Sequence, residues 1–130
     1  MGNCRMLVEL CLTKCMSLES LPDSIGFLEE LEELYLGKCK ELVSLPDTLG
    51  SLSKLSLLDL HQCKKLEAIP DSIGMLSSLH RLDLRGCKSL QRLPESITAA
   101  LNLQELDLSG CSETLLESIP EAVREEYLSP

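Results

Sequence analysis

A period of 24 residues runs through the chain, and it limits the folds this sequence can adopt more than any other feature. Cysteines mark the period most clearly, since five of the seven recur at this interval: Cys15, Cys39, Cys63, Cys87 and Cys111. Disulfide frameworks have irregular spacing because each bridge closes a different loop. An even period instead indicates one cysteine at the same place in each of several stacked structural units.

Writing the chain in rows of 24 residues aligns nearly every apolar position on the pattern LxxLxLxxCxxLxxLPxxIGxLxx. We expect one domain over 1–130, with repeats at 7–30, 31–54, 55–78, 79–102 and 103–126. Residues 1–6 fit the end of a preceding repeat, and 121–130 form a polar carboxyl-terminal end. Row four departs at Thr98, where glycine is expected, and row five carries two extra residues after Cys111.

Each segment of a row has a predicted structural role. LxL alternates apolar and polar residues, which predicts a short strand with one buried face. Stacked rows give a parallel sheet, and the remaining residues of each row provide the return connection. Proline at 22, 46, 70, 94 and 120 turns the chain, and the Asp-Ser or Glu-Ser pair that follows is expected to accept backbone N–H bonds in a helical turn. Glycine after that turn allows a left-handed or tightly packed residue, and Val123 with Tyr127 could close the last repeat.

Composition excludes several functional classes. Twelve lysines and arginines against 21 acidic residues give a net charge of −9, which argues against nucleic-acid binding. The 44% of hydrophobic residues argue against disorder, and the absence of a long apolar run argues against a membrane partner. The odd cysteine count and the absence of any Asn-x-Ser/Thr sequence favour a reducing compartment, so we expect a cytoplasmic protein.

The outward positions of the predicted strands form the one broad shared surface. We name as candidate protein-binding residues those of the middle and last rows: Tyr35, Leu57, Asp59, His61, Arg81, Asp83, Arg85 and Asp107. Tyr35 and Leu57 are expected to be exposed, and tyrosine and arginine are enriched among interface hot spots. A solvated ladder of mutually compensating charges is the alternative interpretation of the same positions.

Two columns of charge flank this surface. Lys40, Lys64 and Lys88 follow the cysteines, and acidic residues at 23, 47, 71, 95 and 121 lie on the opposite side. This polarity could orient a partner, or it could simply be solvated repeat faces.

The sequence predicts no catalytic, metal or cofactor site. Asp59 and His61 share a strand face, but Ser109 lies two strands away, and no nucleophile elbow or phosphate-binding glycine loop accompanies them. The cysteine column is interpreted as small core residues that are reduced and buried, whereas Cys11 occupies an outward position and should be accessible.

The sequence pattern LPDSIGxLxxLxxLxLxxCxxL resembles the leucine-rich repeats of plant intracellular immune receptors that carry a nucleotide-binding domain. The resemblance implies an α/β leucine-rich repeat solenoid, curved and right-handed, with a parallel sheet on the concave face and short helical turns on the convex face. It further implies a non-enzymatic segment that recognises a protein ligand and regulates activation.

Two other interpretations of the function remain open. One is a small intracellular adaptor or regulatory repeat protein without an immune role, and the other is a repeat array attached to an enzyme. A further expectation is weak self-association, because the terminal repeats present open apolar ends.

Overall fold

The computed structural model describes residues 6–100, 102–119 and 121. Each row contributes one three-residue strand to a single parallel sheet in the order β1-β2-β3-β4-β5. The strands are β1 Glu9–Cys11, β2 Glu33–Tyr35, β3 Leu57–Asp59, β4 Arg81–Asp83 and β5 Glu105–Asp107. Each residue of β1 to β4 pairs with the strand residue 24 positions later, as Leu34 does with Leu58, so the sequence period is also the register of the sheet. The predicted parallel sheet is confirmed.

The return connection of the first four repeats contains a 3-10 turn that begins directly after the row's proline. These turns are Asp23–Phe27, Asp47–Ser51, Asp71–Met75 and Glu95–Ala99. The preceding proline is extended, with φ −70° and ψ 154° at Pro22, and it lacks an N–H that would need a partner.

The hydroxyl groups of these turns do not cap them in the predicted way. Thr48 Oγ1 donates to the carbonyl oxygen of Asp23 at 2.8 Å, and Ser96 Oγ donates to that of Asp71 at 2.6 Å. Each bond therefore ties one repeat to the preceding one, instead of accepting an N–H bond within its own turn.

Glycine in the 3-10 turns permits close stacking and does not serve a left-handed backbone. A Cβ added to Gly74 would lie 2.5 Å from the backbone oxygen of Ser96 in the next turn. Thr98 occupies the equivalent position in repeat four, where the chain that follows departs from the pattern. In repeat five, the segment after Cys111 that carries the two extra residues contains a short helix, α1 Glu113–Ser118, which begins after Ser112.

The fifth repeat thus ends differently from the other four. Ser112 Oγ accepts the backbone N–H of Leu115 at 3.2 Å, an ordinary N-cap arrangement. Leu115 and Ile119 are buried, so α1 covers this end of the leucine core. The predicted closing turn through Val123 and Tyr127 lies outside the described residues.

The core is a stack of leucines with one thiol per repeat. Leu34, Leu58 and Leu82 are fully buried, as are Cys39, Cys63 and Cys87. The expectation of a uniformly buried cysteine column is wrong at its ends, where Cys15 and Cys111 are half-buried. Among the described residues, each of the two packs against one complete neighbouring repeat.

Each internal thiol also donates a hydrogen bond to the carbonyl of the residue 27 positions earlier. Cys63 Sγ reaches the oxygen of Leu36 at 3.1 Å, and Cys87 Sγ reaches that of Leu60 at 3.0 Å. The same carbonyls accept the backbone N–H of the cysteine in their own repeat, so the thiol of the next repeat adds a second, weaker hydrogen bond. Within the described ranges, no helix is both long enough and apolar enough to cross a bilayer.

Candidate functional site

The structure brings all the predicted outward residues onto one face of the sheet, which we call the strand face. Its members are Tyr35, Leu57, Asp59, His61, Arg81, Asp83, Arg85 and Asp107. Sheet register sets their neighbours: Tyr35 lies opposite Asp59, which lies opposite Asp83, and Leu57 lies opposite Arg81. The aspartates at the ends of β3, β4 and β5 therefore stand side by side, as the sequence predicts.

Asp59 and His61 form a local pair at the end of β3. His61 Nδ1 lies 2.7 Å from Asp59 Oδ1, and the backbone N–H of His61 donates to the same oxygen at 3.0 Å. The side chain of His61 is 21% exposed and that of Asp59 is 15% exposed. The pair is thus held in one conformation at the middle of the strand face.

Asp83 departs most from the expectation of an exposed surface residue. It is only 4% exposed, because Arg85 folds over it. The Arg85 guanidinium donates to both carboxylate oxygens, with Nη2 2.8 Å from Oδ2 and Nε 2.9 Å from Oδ1. Burial raises the pKa of Asp83, but the hydrogen bonds from Arg85 outweigh it, and the net pKa is lowered.

The remaining arginine contacts connect adjacent repeats. Arg85 Nε also lies 3.8 Å from Asp107 Oδ2, and Arg81 Nε lies 3.4 Å from Glu105 Oε2. The side chains of Arg81 and Glu105 are 50% and 69% exposed, so this pair adds little stability and can exchange for a partner's charge. The charge-compensating ladder considered from the sequence is therefore present at these positions.

Tyr35 and Leu57 were expected to be exposed, but both are half-buried. The hydroxyl of Tyr35 donates to Glu33 Oε1, and this bond raises the tyrosine pKa to about 12. Glu33 and Glu105, outward strand positions that are not among the candidate binding residues, join the surface as partners of Tyr35 and Arg81. The sequence pattern does predict their position, since both are the first residue of a strand and point outward by alternation.

A metal ion could find ligands on this face only by displacing existing contacts. Asp59, His61 and Asp83 each offer one ligand atom, and these atoms lie within 4.8 Å of one another. One oxygen of Asp59 already accepts from His61, and both oxygens of Asp83 accept from Arg85. The arrangement is that of an ion-pair network among side chains.

The arrangement considered for catalysis does not assemble. Asp59 and His61 are in contact, but Ser109 belongs to the fifth repeat, and its backbone N–H donates to Asp107 Oδ1 at 3.0 Å.

Cys11 is exposed, as predicted, and its hydrogen bond to Thr13 lowers its pKa.

Comparisons with known proteins agree with this geometry. The family model described as Leucine Rich Repeat matches residues 102–124. A leucine-rich repeat protein of Leptospira interrogans, LIC12759, is 30% identical with a TM-score of 0.54, covering 85% of this chain and 33% of its own length. The leucine-rich repeat domain of the type III effector XCV3220 (XopL) is 28% identical with a TM-score of 0.57, covering 76% of this chain and 40% of its own.

The chain therefore spans less than half the length of these two solved structures. No curated protein sequence matches it. The recognised repeat, the five-stranded parallel sheet and the two structural neighbours together identify the fold as a leucine-rich repeat solenoid, a fold that typically serves as a non-enzymatic protein–protein interaction module.

Proposed function

We propose that the chain binds a partner protein through the strand face and performs no catalysis of its own. The observation that carries this proposal is the fixed display of mixed charge and half-buried apolar groups on one hydrogen-bonded sheet. A face held by neighbouring strands loses little conformational entropy on binding. Alternating acidic and basic groups favour a protein ligand, since a polyanion would be repelled by the aspartates at the strand ends.

Tyr35, Leu57 and Arg81 are the expected contact residues within this face. Arg81 is exposed, and its ion pair with Glu105 is loose at 3.4 Å, so its guanidinium can turn to a partner at low cost. Tyr35 and Leu57 supply partly exposed apolar surface beside it, and tyrosine and arginine are common hot-spot residues. Five short strands expose a small area, and we expect affinities of about micromolar or weaker for this chain alone.

We further propose that the chain is the recognition or regulatory segment of a plant-type intracellular immune receptor. The 24-residue repeat with its cysteine and its LPDSIG motif supports this assignment. The six described cysteines are free, which suits a reducing cytoplasm. The sequence that flanks this chain in its gene provides the test. A nucleotide-binding domain upstream is expected, and its absence from the complete gene would exclude this class of receptor.

Substitutions on two sides of the solenoid test the binding surface. Once a partner is obtained, Tyr35→Ala and Arg81→Ala should each weaken the complex by about tenfold in calorimetry, the usual effect of a hot spot. Asp47→Ala and Asp71→Ala, at exposed positions of the 3-10 turns, are the matched controls and should leave the affinity unchanged. Arg85 is unsuitable for this test because it holds the buried Asp83.

Thermal unfolding of each variant separates loss of binding from loss of structure. The proposal is wrong if the 3-10 turn variants weaken the complex while the strand-face variants, equally stable, bind as tightly as the original chain.

A further inference from the structure

A basic groove runs along the edge of the sheet where the strands end. Its first part is lined by Lys14, Met16, Lys38, Lys40, Gln62 and Lys64. A second depression shares Lys38 and Gln62 and continues the groove to Arg85 and Ser109. The groove therefore crosses the repeats, at right angles to the strands.

The charge of this groove is opposite to that of the chain. Four lysines and Arg85 make up five of the twelve lysines and arginines, whereas none of the described residues that line the groove is acidic. The chain as a whole carries a net charge of −9. The cationic edge is thus a local feature and does not reflect overall composition.

The lysines of the groove have no carboxylate partner among the described residues, whereas Lys54 and Lys65 outside it each have one. Lys65 pairs with Glu41 at 2.8 Å, and Lys54 pairs with Glu30, each across one repeat. Lys14, Lys38, Lys40 and Lys64 have no such ion pair in the described ranges. Like charges at the spacing of adjacent strands, about 4.8 Å, repel one another, and an anion bound between them would relieve that repulsion.

The backbone beneath two of these lysines is held in a conformation that disfavours a side chain. Lys14, Lys38 and Gln62 have φ of 65°, 61° and 55°, and glycine occupies the same place in the last two repeats, at Gly86 and Gly110. Hydrogen bonds fix the position, since Lys38 N–H donates to the oxygen of His61 at 2.8 Å. The left-handed position thus recurs in every repeat, and in the first three it carries a long polar side chain that lines the groove, although glycine would be the easier residue.

We propose that this basic groove binds an extended acidic segment of a partner protein, laid across the repeats. The neighbouring strand face carries Asp59, Asp83 and Asp107, which oppose a long polyanion such as nucleic acid. A short peptide can instead keep its carboxylates over the lysines and away from the aspartates. The groove is a second surface, sharing only His61 and Arg85 with the strand face.

Fluorescence anisotropy with a defined probe tests the proposal. The probe is fluorescein-labelled octaglutamate at low ionic strength, compared with octaserine and with an oligothymidylate of similar length. Octaglutamate should bind, octaserine should not, and added salt should weaken the complex because the contacts are between exposed charges. Failure of octaglutamate to bind, or tighter binding of the oligothymidylate, would overturn the proposal.

Two double variants that change the net charge equally locate the site. Lys40→Gln with Lys64→Gln should raise the dissociation constant of octaglutamate by about tenfold, because both charges line the groove. Lys54→Gln with Lys65→Gln removes two lysines outside it and should change the constant by less than about twofold. Equal weakening by both pairs would show general charge attraction, and the groove assignment would be wrong.

One further variant separates this proposal from binding at the strand face. Tyr35→Ala keeps the net charge and should leave octaglutamate binding unchanged, even where it weakens a strand-face partner. Loss of octaglutamate binding in Tyr35→Ala, with circular dichroism showing a folded chain, would place the peptide on the strand face and overturn the groove assignment.

Discussion

The imidazole of His61 lies over Gly37 of the preceding repeat, in space that a side chain at residue 37 would fill. A Cβ added to Gly37 would fall 2.1 Å from His61 Cε1 and 2.4 Å from Nδ1. The same ring places Nδ1 2.7 Å from Asp59 Oδ1. Glycine at residue 37 is therefore what allows the Asp59–His61 pair to form at the centre of the strand face.

Gly37→Ala should break that pair. The ring can swing toward solvent, so the expected cost is that of one partly exposed hydrogen bond to a charged group, about 0.5–1.5 kcal/mol in urea unfolding. The same substitution in a His61→Ala background should cost close to nothing, because the clash is gone. Equal costs in the two backgrounds would mean that His61 does not depend on Gly37, contrary to the structure.

Arg85→Ala should destabilise the fold because it removes both the cation that pairs with the Asp83 carboxylate and the side chain that covers it. The arginine side chain is 48% exposed, so we expect about 1–3 kcal/mol rather than the larger loss of a fully buried pair. Arg81→Ala is the matched control, since its ion pair with Glu105 is exposed, and it should change stability by less than about 0.5 kcal/mol. Similar costs for the two variants would contradict a special role for the Asp83–Arg85 pair.

The same pair predicts how stability depends on pH. Arg85 lowers the pKa of Asp83 in the folded chain against the effect of burial. Stability from this group is therefore present above the unfolded pKa of about 3.9 and is lost as the pH falls through the lower folded value. In Arg85→Ala, the hydrogen bonds and the charge of the arginine side chain are lost, so the pKa of Asp83 should rise from its lowered value toward the ordinary value of about 3.9. The stability gap between the two proteins should thus be largest near neutral pH and shrink in acid.

The strand order and the inward leucines could be predicted in full from the sequence, since a constant row length makes residue 34 pair with residue 58. The burial of Asp83 could not, because alternation assigns it to the outward face and only the fold-back of Arg85 covers it. The role of Gly37 was hidden for a similar reason, as its neighbour His61 is 24 residues away. Contacts between side chains of adjacent repeats depend on both repeats together, so the sequence pattern of a single repeat does not predict them.

The repeat pattern also failed to predict which groups the side-chain hydroxyls of the 3-10 turns bond to. Serine and threonine after the prolines were interpreted as caps, whereas Thr48 and Ser96 donate across the repeat boundary. The extra residues after Cys111 indicated a departure from the pattern, but the periodicity of the other rows carries no information on α1. The column of Lys40, Lys64 and Lys88 could be predicted from the sequence, but the groove that Lys40 and Lys64 share with Lys14 and Lys38 could not.

Gly74→Ala should weaken the stacking of the 3-10 turns. The added Cβ would meet backbone at the Ser96 oxygen, which cannot move aside as a side chain can, so a cost of about 1–3 kcal/mol is expected in urea unfolding. Thr98→Ala provides the control at the same place in repeat four, where a Cβ is already present, and should cost less than about 0.5 kcal/mol. Comparable costs at both positions would argue against close stacking as the reason for glycine.

The reactivity of the thiols should decrease as their burial increases. Burial raises the pKa of the Cys63 and Cys87 thiols to about 12, so almost none of either is the reactive thiolate near neutral pH. Cys11 is exposed and its pKa is lowered by Thr13, so iodoacetamide should modify Cys11 first. Peptide mapping by mass spectrometry assigns each rate, and a Cys11→Ser variant should lose that modification only.

Denaturant completes the thiol experiment because it distinguishes burial from intrinsic unreactivity. In urea, Cys63 and Cys87 should react as fast as Cys11, since the unfolded chain restores an ordinary thiol pKa to all three. In the folded chain, their rates should fall with increasing stability, because modification then requires opening of the core. Gly74→Ala should accordingly accelerate labelling of Cys63 and Cys87 and leave Cys11 unaffected. Rapid labelling of Cys63 in the native, stable chain would contradict the burial of the cysteine column.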